Sequence, residues 1–138
     1  MASSAEVKQQ ALPYVLLAKA LGFIHEGRNP ATGAEEVLLL TKDADGLDND
    51  PVLLGKSFTA SADSINLENL HTIKSVCDAT LAGAGYLHQD RRSEVQRAIL
   101  AEVEAIKAAR GGNIQDETYR RFLEAGRRAL AILKREVA

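Results

Sequence analysis

The chain has no tryptophan, only three Phe and three Tyr, and a single cysteine among its 138 residues. With so few aromatics, its core must be built from Leu, Ala, Val and Ile, a stock that favours closely packed helices. One cysteine, Cys77, excludes an intrachain disulfide. A lone thiol of this kind reads as a buried small hydrophobe in a reducing compartment. No stretch approaches the ~20 apolar residues that a membrane-crossing helix needs. Nor does the start read as a secretory signal, because Glu6 and Lys8 precede a short apolar run that Lys19 interrupts. The expectation is a soluble, cytoplasmic protein with no membrane partner.

What is present suits one ordinary domain spanning residues 1–138. Hydrophobic residues make up 46% and charged residues 26%, enough for a real core and far from a disordered composition. The net charge of −2 conceals a polarity. Residues 1–90 carry 6 basic and 12 acidic side chains, whereas residues 91–138 carry 11 basic and 7 acidic. Such asymmetry marks an interaction surface, or two halves that attract each other in the fold.

The pattern predicts a mainly α fold: four helices in a bundle-like domain, with a small β-hairpin or irregular excursion between the first and second. The first helix is expected from near Ser4 to about Glu26, with Gly27 as its stop signal. Pro13 lies inside it, so residues 1–11 read alternatively as a frayed arm. Residues 27–65 form the excursion. Within it, Val37–Thr41 and Val52–Phe58 are short apolar runs that read as paired strands. A second helix follows from about Asn66 to His88, with Leu70, Ile73, Cys77, Leu81, Ala84 and His88 along one seam. Residues 93–137 form a helical hairpin. Its first helix starts at a Ser93–Gln96 capping box, carries Val95, Ile99, Val103 and Ile106 inward, and ends at Gly111-Gly112. Asp116 caps its second helix. There Tyr119, Leu123, Gly126, Leu130, Leu133 and Val137 define an apolar seam, and Gly126 predicts a close helix contact.

Chemistry is concentrated on that last helix. Basic residues fall in adjacent pairs every seven positions: Arg120–Arg121, Arg127–Arg128 and Lys134–Arg135. Arginine's planar fork suits carboxylates and phosphates, so this face is expected to bind an acidic protein surface or, alternatively, a nucleic-acid backbone. A solvated face whose cations complement the helix dipole is the plainer explanation. No aromatic stands beside it for base stacking. The leading expectation is a non-enzymatic interaction or assembly protein, possibly self-associating into a homo-oligomer.

Other motifs are poorer. Asp43, Asp45, Asp48 and Asp50 offer oxygen ligands for a hard cation. Yet an EF-hand register through Gly46 puts Val52 at the twelfth position, where a bidentate Glu is required. Gly55-Lys56-Ser57 resembles the end of a phosphate loop, but the leading glycine of that motif falls on Asp50. Glu68 and His71 have the Glu-x-x-His spacing of di-iron bundles without the second pair such sites need. Glu102 falls by helical phase between Ile99 and Ile106, where a carboxylate requires a partner. It reads as a bundle-edge salt bridge or a hydrogen bond to Thr80 or another helix or, alternatively, as the centre of a small enzyme site with Thr80 and His88. Cys77 on an apolar seam is a poor nucleophile. No motif calls for a cofactor.

Overall fold

The structure is a computed structural model and describes residues 4–28, 31–42, 45–56, 65–82 and 89–135. These form four helices, α1 (Ser4–Leu21), α2 (Leu67–Ala82), α3 (Gln89–Ala109) and α4 (Glu117–Arg135). A small antiparallel sheet lies between α1 and α2, with strands β1 (Ile24–Arg28), β2 (Glu35–Leu39) and β3 (Val52–Gly55) in the order β1-β2-β3. The mainly helical class and the paired strands in the excursion agree with the sequence pattern.

Helix α1 is the element that the other helices share: it contacts α2, α3, α4 and β1. Its composition explains this position. Ala11, Leu12, Val15, Leu16, Leu17 and Ala18 are all buried, so neighbours are needed on most sides of the helix. Pro13 sits inside the helix, where it has no N–H to donate to the preceding turn. Burial of Val7 shows that the first turns pack as helix rather than as a loose arm.

The helix ends five residues before the expected Glu26. Gly22 adopts φ +94°, its N–H donates to the Lys19 carbonyl at 3.1 Å, and the Phe23 N–H donates to the Ala18 carbonyl at 2.8 Å. This pair of bonds is the Schellman arrangement that closes a helix through a left-handed residue. Residues 24–28 then enter β1, with Ile24 opposite Leu39 and Arg28 opposite Glu35. Ile24, Val37, Leu39 and Leu54 are buried and join the sheet to the helical core. Strand β3 pairs with β2 across an irregularity between Val37 and Leu38.

In α2, Asn66 caps the first turn, its Oδ1 accepting the Asn69 N–H at 2.7 Å. Leu70, Ile73, Cys77 and Leu81 form the buried seam, and the expected continuation to Ala84 and His88 lies outside the described residues. Helix α3 begins at Gln89, so Ser93 lies within it and not at its start as expected. Its inner face is Val95, Ile99, Val103 and Ile106, as the spacing predicts. A second Schellman closure ends α3: the Gly112 N–H reaches the Lys107 carbonyl at 2.9 Å and the Gly111 N–H reaches the Ala108 carbonyl at 3.0 Å. No described helix is long and apolar enough to cross a membrane.

Candidate functional site

Helix α4 starts where Asp116 accepts the Tyr119 N–H on Oδ1 at 3.1 Å. Its buried face is Tyr119, Phe122, Ala125, Ala129, Ile132 and Leu133. That face is rotated from the expected seam, because Leu123 and Leu130 are only partly buried and pack at its margin. Gly126 does mark a close contact, and the neighbour is α3. A Cβ built there would stand 2.9 Å from Val103 Cγ2.

The rotation leaves the cations outward. Residues seven apart nearly eclipse on a helix, so Arg120, Arg127 and Lys134 form one row and Arg121, Arg128 and Arg135 the next. Arg120, Arg127, Arg128 and Lys134 are exposed, and Arg121 is half-buried. The Arg135 side chain lies outside the described residues. Glu124 stands between the rows, with Oε2 3.8 Å from Arg127 Nη1 and Oε1 3.4 Å from Arg128 Nε. Exposed pairs of this kind contribute roughly 0–1 kcal/mol and exchange readily.

Four of these arginines border an open groove of about 770 Å³ between α4 and the first half of α1. Lys8 adds a fifth cation, Leu12, Pro13, Leu123 and Ala125 supply apolar lining, and Glu117 and Glu124 are the acids present. A second groove of about 440 Å³ continues past Arg128 to Tyr14 and Lys74 of α2. There the Lys74 ammonium sits 5.3 Å from the Tyr14 ring centroid, within cation–π range. Lys8, Lys74 and the α1 lining were not singled out from the sequence; they are distant in the chain and become neighbours only through α1.

Glu102 is at the margin of the α3 apolar face, not its middle, and its Oε2 accepts from Lys19 Nζ at 2.7 Å. Lys19 also lies 3.3 Å from Glu26 of β1. The expected salt bridge is therefore present, between α3 and α1. Thr80 donates to the Val76 carbonyl of its own helix at 2.9 Å, and His88 lies outside the described residues. Asp45, Asp48 and Asp50 are exposed, Asp48 pairs with Lys42 at 2.8 Å, and Asp43 is not among the described residues. No group of potential ligands that could hold a metal ion occurs among the described residues. Gly55 ends a strand, with no helix after it to build a phosphate loop among the described residues. Burial, with a smaller contribution from the Asp78 carboxylate, pushes the Cys77 thiol up to about 12.

Comparison with protein-family models, with curated proteins and with solved structures gave no match.

Proposed function

We propose that the chain is a non-enzymatic interaction protein that docks an acidic, amphipathic polypeptide segment in the groove between α1 and α4. One observation carries this reading: cations surround an apolar lining, with Lys8 and Arg120, Arg121, Arg127 and Arg128 beside Leu12, Pro13 and Leu123. Arginine forks pair with carboxylates in two-bond geometry, while the apolar lining rewards a ligand that brings hydrophobic side chains among its acids. A nucleic-acid backbone needs phosphate neutralisation and has no use for such a lining. The exposed pairs of Arg127 and Arg128 with Glu124 can exchange for incoming carboxylates at little cost.

The test is fluorescence anisotropy with a labelled helix-forming peptide that alternates Glu and Leu positions at helical spacing. R120E/R121E/R127E/R128E should weaken binding by more than about tenfold, equivalent to ~1.4 kcal/mol, while the melting temperature by circular dichroism changes little. Unchanged binding in this variant would overturn the proposal. So would a clear preference for a DNA or RNA duplex with steep, sequence-independent salt sensitivity, which would assign the face to nucleic-acid backbone instead.

A further inference from the structure

Resting on the groove reading above, the identity of its occupant can be sought on the chain itself. The far edge of the sheet, away from β1, is β3, and the described residues that lead into it make specific contacts. The Asn49 N–H donates to the Thr41 carbonyl at 2.9 Å, and Asn49 Nδ2 donates to Thr41 Oγ1 at 2.9 Å. An isolated bridge joins Lys42 to Asp48, and Gly46 makes the reversal at φ +80°. Residues 45–53, the tongue that follows from these contacts, are all exposed. Leu47 is 66% exposed, Val52 40% and Leu53 55%. Six large hydrophobics in all are exposed among the described residues, and half of them fall in this seven-residue stretch. Exposed Asp45, Asp48 and Asp50 are interleaved with them. Apolar side chains clustered at a surface mark a contact site more often than scattered ones do.

Tongue and groove are chemical complements: leucines among aspartates on one, arginines around leucines on the other. The polarity of the chain has the same sense, with acidic excess before residue 90 and basic excess after it. We infer that the groove is filled by residues 45–53 of a second copy of this chain. Leu47 enters against the partly exposed Leu123, and the aspartates meet Arg120, Arg121 and Arg127. Asp48 exchanges its bond to Lys42, a pair in which both side chains are more than half exposed and which therefore contributes little. Tongue and groove are different surfaces, so each docking event leaves one of each unused on the pair. Association then either closes reciprocally or continues head to tail.

Light scattering on the full chain tests this over a range of protein and salt concentrations. Wild type should gain mass with concentration at low salt and return to the 14.9 kDa monomer at high salt. R120E/R121E/R127E/R128E (groove altered) and D45K/L47S/D48K (tongue altered) should each remain monomeric. An equimolar mixture of the two should recover association, because a native tongue meets a native groove. L47S alone preserves the Lys42–Asp48 bridge and should still weaken association by more than about tenfold, which guards against misfolding of the triple variant. A wild type that stays monomeric throughout overturns self-docking, as does association that neither L47S nor the groove variant alters. The peptide assay separates the two readings: a monomer that binds the Glu/Leu peptide keeps the groove and discards the second copy, and a monomer that binds nothing discards both.

Discussion

Gly126 shows how one missing atom positions a helix. Its helical site would gain about 1 kcal/mol of propensity from alanine. The Cβ, however, would meet Val103 Cγ2 at 2.9 Å, and a β-branched valine in a full core has little room to turn away. Overpacking of this kind costs about 1–3 kcal/mol, so G126A should destabilise by about 1 kcal/mol in urea unfolding. Adding V103A should remove the clash, giving a favourable coupling of about 1 kcal/mol in the double-mutant cycle. Additive effects would show that α3 and α4 do not meet at this point. Cys77 is similarly defined by its surroundings: Sγ lies 3.8 Å from the Tyr14 carbonyl oxygen between α2 and α1. Its thiol is raised from 9.0 to about 12, so folded protein should resist alkylation at pH 8 and label only on unfolding. The linkage has one sign. Below pH 9 both states hold the proton and the stabilisation is complete. As pH rises toward 12 the unfolded thiol ionises first, and stability is lost. C77A should lack that alkaline component in a comparison of unfolding free energies from pH 8 to pH 11.

At the level of elements, regular spacing is what made the helices legible. Val95, Ile99, Val103 and Ile106 follow a strict three-and-four rhythm, and all four are buried. Asp116 was legible because a cap is a local device, needing only its own helix to act. D116A should cost about 0.5–2 kcal/mol and should fray α4 before the global transition, visible as faster amide exchange near Tyr119. Unchanged exchange there would mean that packing alone holds the first turn. The misread elements have physical causes too. Phe23 and Ile24 extend the apolar run of α1 past Gly22, so β1 looked like the tail of the helix until the left-handed turn at Gly22 is seen. The apolar face of α4 was misphased because Leu123 and Leu130 are its largest aliphatic side chains in the middle turns. The small Ala125 and Ala129 in fact face inward, where α1 and α3 approach closely.

For the molecule as a whole, the candidate site was half legible. The paired cations of α4 were plain from their seven-residue recurrence, since both rows lie on one continuous helix. The groove was not, because Lys8, Leu12 and Pro13 stand more than a hundred positions before Arg120 in the chain. Only the docking of α1 on α4 sets them opposite each other. The role of Glu102 followed the same rule: its need for a partner was evident, but its partner Lys19 is 83 residues away. The central placement of α1 also has a consequence for how the chain is made. Synthesis releases this helix before α2, α3 and α4, which cover it. Until they have emerged, a segment apolar on most sides has no companion, so the nascent chain exposes an adhesive surface while those three helices are made. Folding is thereby tied to completion of the α3–α4 hairpin, and a helper that shields α1 during synthesis would act on the step at which it lacks these neighbours.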